Sequence, residues 1–202
     1  MCIRDRVGST GKLYAQIKNG APFQILLSAD DETPSRLARE GAGVGSSQFT
    51  YATGRLVLWS RQAGLVDDKG AVLQGTAFNH LSVADPRGAP YGAAAMEVLN
   101  KLGLLPKVQG RLVQGESIGQ AHQFVASGNA QLGFVALSQV MQDGKITEGS
   151  AWVVPASMHT PLKQDAIVLA PAKDSVAAQA FMAYLRSDAS KALIRGYGYE
   201  VP

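Results

Sequence analysis

Short apolar runs alternate along this chain with stretches whose apolar residues recur at helical spacing. Residues 23–28 (FQILLS), 132–137 (LGFVAL) and 164–171, the last holding the run AIVLA, are continuous in the way of strands covered on both faces. Residues 81–86 read as a strand ending in a loop, 151–155 as a further strand and 112–113 as a short one. Between them, residues 12–17 predict a short helix with Leu13 and Ile17 on one face, stopped by Asn19-Gly20 and Pro22. Residues 31–40 predict another, with Pro34 tolerated in its first turn. Residues 92–102 carry Met96, Leu99 and Leu102 on one stripe, with Gly103 as the C-terminal stop. Ser117 is placed to cap a helix over 118–126, which Ser127-Gly128 closes, and Ser175 to cap 175–186; a last helix covers 189–195.

This alternation predicts an α/β protein. Residues 49–60 (FTYATGRLVLWS) are extended, apolar and broken once by Gly54, long enough to pass from one body to another. The chain is read as leaving a first lobe near residue 53 and re-entering it near residue 165. That gives a discontinuous lobe of residues 1–53 plus 165–202, and a second lobe of residues 54–164. Two crossings imply a cleft between the lobes, where small ligands bind.

Composition narrows the function. The chain has 202 residues, 46% hydrophobic and 17% charged, and its longest apolar stretches are strand-sized, far from the ~18 residues of a membrane span. A formal charge of +3 suits an anion binder, but the charges are scattered without a basic run, which argues against a nucleic-acid partner. Cys2 is the single cysteine, so neither an internal disulfide nor a thiolate metal cluster is available. His80, His122 and His159 lack ligand spacing and read as surface or helix-face residues; no metal site is expected. Residues 1–6 (MCIRDR) are too short and too charged for a signal peptide and read as a scar of cloning or assembly. Residues 7–11 then resemble the exit of a strand already inside a domain.

Three loops that enter helices could carry chemistry. Gly8-Ser9-Thr10-Gly11-Lys12 suggests a phosphate loop, but a Walker A motif needs glycine where Arg6 stands and Ser or Thr where Leu13 stands. What remains is a hydroxyl pair at a helix start, able to donate to an anion or simply to cap the helix. Asp85–Gly92 (DPRGAPYG) places Tyr91 in a first turn, with its amide and phenol as donors or its ring as packing. Glu116-Ser117-Ile118-Gly119-Gln120 is the third entrance. Each loop alone is ordinary capping; together they allow a convergent anion site. No nucleophile elbow, zinc helix or dinucleotide fingerprint occurs, no spacing joins Ser9 to a histidine, and Asp30-Asp31-Glu32 reads as a solvated turn, so an enzyme is not expected.

These motifs resemble the molybdate-binding (ModA) family of type II periplasmic binding proteins. The resemblance runs from Gly8 to Pro202 and is carried by residues 8–30 (GSTGKLYAQIKNGAPFQILLSAD), 49–60, 85–92, 116–137 (ESIGQAHQFVASGNAQLGFVAL) and 196–202 (GYGYEVP). It implies a two-lobed type II periplasmic binding protein fold, with three-layer α/β/α lobes and a ligand cleft between them. It further implies a periplasmic receptor, monomeric and without cofactor, that closes on molybdate or tungstate and delivers it to the membrane permease of an ABC importer. By resemblance the oxyanion is held by neutral donors: the hydroxyl-bearing Thr10 with Ser9 beside it, Tyr91 through its amide and phenol, and Ile118 through its backbone N–H. Some members carry a tyrosine where Ala136 stands; this chain resembles the branch in which the tyrosine of the A-P-Y-G loop does that work. The family's first strand and following turn, which carry two more ligands, have no counterpart in these residues. The resemblance thus implies an N-terminally truncated chain that lacks its export signal and holds an incomplete site. Alternatives are the same fold binding sulfate, phosphate or thiosulfate, and the effector-sensing domain of a transcription regulator.

Overall fold

In chain order the elements are α1 (Thr10–Lys18), β1 (Ile25–Ser28), α2 (Glu32–Arg39), β2 (Phe49–Gly54), β3 (Leu56–Ser60), β4 (Leu81–Ala84), α3 (Pro90–Lys101) and α4 (Leu105–Val108). There follow β5 (Leu112–Gly115), α5 (Ile118–Ala126), β6 (Leu132–Ala136), β7 (Met141–Gln142), β8 (Lys145–Ile146), β9 (Ser150–Val153), β10 (Leu162–Val168), α6 (Val176–Leu185) and α7 (Asp188–Gly196). This computed structural model describes residues 4–202. The reading of residues 1–6 as a scar, and of Cys2, falls wholly or partly on residues 1–3, outside those described.

Two sheets organise the chain. The first has the order β1-β10-β2, all antiparallel, with Leu26 opposite Ile167 and Leu27 opposite Ala166. Because strand side chains alternate, β10 serves two cores at once. Ile167 and Leu169 pack with Leu26, Leu37 and the inward face of α1, Leu13 and Ile17. Ala166 and Val168 pack with Ala178 and Met182 of α6 and Ile194 of α7. Among the described residues β1 is an edge strand, and its outer side borders a groove of about 600 Å³ between Leu13 of α1 and Phe181 of α6.

The second sheet has the order β5-β4-β6-β3-β9, with β4 parallel to β5 and β6. Every residue of β3, β4 and β6 is buried, as the unbroken apolar runs require. On one face Ala94, Ala95, Val98 and Leu99 of α3 meet a core containing Leu58, Leu81, Val83 and Phe134. On the other, Val125 of α5 meets Val57, Trp59 and Val135. Helices on both faces of each sheet make two three-layer α/β/α bodies. The long run 49–60 is two strands: β2 ends in the first sheet at Gly54, and β3 begins in the second at Leu56.

Some expectations shift. The helix expected over 92–102 starts at Pro90, whose missing N–H is no loss in a first turn. Gly92 is therefore inside the helix, and a Cβ there would stand 2.3 Å from the Ala84 carbonyl oxygen, so only glycine lets α3 come this close to β4. The strand expected over 164–171 begins at Leu162, opposite Gly54, and ends at Val168, since Pro171 sits in a 3-10 turn. The hairpin of β7 and β8 and the turn of Ala71–Gln74 escaped the periodic pattern, being too short to show one. His159 is no surface residue: it is buried, with Nδ1 2.8 Å from the Thr160 carbonyl oxygen. His122, on a helix face as expected, stacks on Trp59 with ring centroids 5.2 Å apart.

Candidate functional site

The three loops singled out in the sequence do become helix entrances. Ser9 is the N-cap of α1, Ala89 that of α3 and Ser117 that of α5. Thr10 and Ile118 are thus the first residues of their helices and Tyr91 the second of its own. The peptide N–H groups of a first turn have no carbonyl one turn earlier, and the helix dipole makes that end electropositive. The Ser117 hydroxyl accepts from the Gln120 amide at 3.2 Å and so is occupied as a cap. Ser9 makes no such side-chain cap bond, which leaves its hydroxyl for another partner.

Contacts tie the entrances together across the two sheets. The Gly11 amide donates to the Gly88 carbonyl at 2.9 Å, joining the start of α1 to the loop before α3. The Lys12 ammonium reaches Glu116 at 3.0 Å, joining α1 to the loop before α5. Ile118 packs on Ala84, Ala89 and Ala121, between the second and third entrances. Ser9, Lys12, Glu116 and Ser117 border a small pocket of about 130 Å³. Thr10, Tyr91 and Ile118 do not line that pocket.

Each candidate side chain has a definite setting. Ser9 and Thr10 are buried, and the Thr10 hydroxyl oxygen accepts from the Ala29 amide at 3.2 Å, fastening α1 to the end of β1. Its hydroxyl hydrogen stays available as a donor. Tyr91 is 4% exposed, and its buried hydroxyl makes no well-formed hydrogen bond among the described residues, its polar neighbour being the Tyr199 phenol. Burial pushes that phenol well above its ordinary value, with smaller upward contributions from Tyr199 and Tyr51. At neutral pH it is an O–H, a donor and not an anion. The Ile118 carbonyl accepts from Gln139 Nε2 at 3.3 Å, and its side chain packs as an apolar residue does.

Charge near the entrances is compensated. Lys12 faces Glu116, and Arg87 faces Asp85 at 3.1 Å. The Arg87 guanidinium holds the Asp85 carboxyl below the usual carboxylate range. The Asp30-Asp31-Glu32 cluster has structural work: Asp30 accepts from the Thr33 amide at 2.7 Å at the start of α2, and Asp31 meets Lys163 at 2.6 Å. Among the described residues no group of three or more His, Cys, Asp or Glu is set to hold a metal, and no helix is long and apolar enough to cross a membrane. What this arrangement offers is neutral donors and helix N-termini, suited to an anion bound as a whole. The sequence missed the contacts between the loops, for which the only signals were Gly11, Gly88 and the opposite charges of Lys12 and Glu116.

Comparison with known proteins places these features in a family. Residues 3–200 match the model of the bacterial extracellular solute-binding proteins. The molybdate-binding protein ModA of Azotobacter vinelandii is 57% identical over 192 residues, covering 95% of this chain and 76% of that protein. ModA of Rhodobacter capsulatus is 49% identical, covering 95% and 75%. The solved structure of an Azotobacter vinelandii periplasmic molybdate-binding protein superposes with a TM-score of 0.93 at 44% identity, covering 96% of this chain and 85% of that one.

Proposed function

This chain belongs to the ModA family of bacterial extracellular solute-binding proteins, and from that membership we propose that it captures molybdate and passes it to the permease of an ABC importer. It is a receptor and not an enzyme, and the oxyanion is its cargo and not a cofactor. In this reading the Ser9 and Thr10 hydroxyls, the Tyr91 amide and phenol, and the Ile118 amide donate to one tetrahedral dianion. Tungstate, of the same shape and charge, is bound by the same donors. The receptor works as a periplasmic monomer.

The Tyr91 hydroxyl carries the reading. A buried donor that makes no well-formed hydrogen bond, with only the Tyr199 phenol beside it, is costly to a fold, and in this reading closure on an anion gives it a stronger acceptor. Helix N-termini support the same conclusion, since each brings partial positive charge without a counter-ion. Neutral donors also suit a carrier that must release its load. Each amide or hydroxyl bond to an oxyanion contributes roughly 1.5–3 kcal/mol, so several give tight binding while none fixes the dianion as a lysine would. In this reading the donors are set at the radius of molybdate and so favour it over the smaller sulfate.

Competition calorimetry on the full-length protein tests this. Molybdate and tungstate are expected to bind far more tightly than sulfate, phosphate or thiosulfate. Sulfate binding equal to molybdate would overturn the proposal.

A further inference from the structure

Gly54 ends β2, one residue before the chain passes into the second sheet, and it is buried. Its backbone is not among those with positive φ, so conformation alone would admit another residue there. Space would not. A Cβ built on Gly54 would stand 2.0 Å from the Tyr91 hydroxyl oxygen, 3.0 Å from Tyr91 Cζ and 3.1 Å from Gln164 Nε2. The Tyr91 hydroxyl thus occupies the place that any side chain at position 54 would take.

The tyrosine has little room to move aside. It is 4% exposed and belongs to the core cluster that contains Leu56, Ala136 and Leu162. Close-packed interiors relax only partially around an added atom. Its hydroxyl would have to retreat from 2.0 Å to beyond 3.0 Å, a displacement that spoils a hydrogen bond fixed to a few tenths of an ångström.

We propose that Gly54 is a positioning residue for oxyanion capture, its missing side chain forming the seat that aims the Tyr91 hydroxyl. This rests on the reading of that phenol as a donor to the anion. The seat lies in the crossing strand itself, with Gly54 opposite Leu162 of the returning strand, so the donor is aimed by the backbone that joins the lobes.

Three variants of the full-length protein decide the matter: Gly54→Ala, Tyr91→Phe and the two combined. Molybdate affinity is measured by calorimetry and unfolding temperature without molybdate. Each single substitution is expected to weaken binding by about tenfold or more. The combined variant is expected to bind within about twofold of Tyr91→Phe, because the 2.0 Å clash goes with the hydroxyl and the contacts left, 3.0 Å to the ring Cζ and 3.1 Å to Gln164 Nε2, ask only for shifts of a few tenths of an ångström. If Gly54→Ala alone fails to fold, the combined variant, freed of the 2.0 Å clash, is expected to fold. Wild-type affinity in Gly54→Ala, losses that add in the combined variant, or a combined variant that also fails to fold would each overturn the positioning role. Wild-type affinity in Tyr91→Phe would instead remove the reading of the phenol as a donor, and the positioning proposal with it.

Discussion

The Lys12 ammonium group stands 3.0 Å from the Glu116 carboxylate, joining a helix on the first sheet to a loop of the second. Both side chains are open to water, 52% and 75% exposed, so the pair is screened and adds little to the folded state. Its place across the cleft gives it a different consequence. Glu116→Gln is expected to leave the unfolding temperature unchanged and to speed molybdate release by less than about fivefold. Stopped-flow measurement at low and high ionic strength checks this: the difference should vanish at high salt.

Tyr91→Phe removes a buried hydroxyl that makes no well-formed hydrogen bond among the described residues, with the Tyr199 phenol as its neighbour. The unliganded variant should therefore unfold at the same temperature as the wild type or higher. Molybdate binding should weaken by about 1.4–3 kcal/mol, tenfold or more. Thermal melts with and without molybdate separate the two effects; equal losses in both would show that the phenol serves the fold.

Ile118 is the first residue of α5, a position that tolerates proline but where proline deletes the N–H. Ile118→Ala is expected to change affinity little, whereas Ile118→Pro is expected to abolish binding while circular dichroism keeps its helical signal. Similar affinity losses in both would assign Ile118 to packing.

Glu40 is held low, at about 2, first by Arg36, then by Lys18 and Tyr14. A carboxyl lowered on folding stabilises the native state above its unfolded value of 4.5, and that contribution is lost as pH falls through about 2. Carboxyl-carbon NMR should place the Glu40 midpoint near 2, and Arg36→Ala should raise it toward 4.5. A midpoint that ignores Arg36 would show that the 2.9 Å contact does not persist in solution.

Among the described residues β1 is paired on one side only, whereas β6 lies between β4 and β3. Amide exchange is expected to be faster in Ile25–Ser28 than in Leu132–Ala136. Equal protection would mean that the outer edge of β1 is covered in solution.

By itself the sequence determined which segments are buried and how they begin. Continuous apolar runs marked β1, β6 and β10, and the hydroxyls of Ser117 and Ser175 cap α5 and α6 as their positions indicated. The loop motifs carried the family, because a helix start rich in glycine and hydroxyls is a local feature with local causes. Tertiary structure decided what each group meets. Nothing in the spacing says that Lys12 pairs with a carboxylate 104 residues away, or that Gly54 leaves its place to the Tyr91 hydroxyl. Nor does it say that the Gly11 amide spends its hydrogen bond on Gly88. Periodicity records the face a residue turns inward, since burial acts on each side chain separately. The partner on the other side depends on how two sheets are set against each other, and that is fixed only when every face is packed at once.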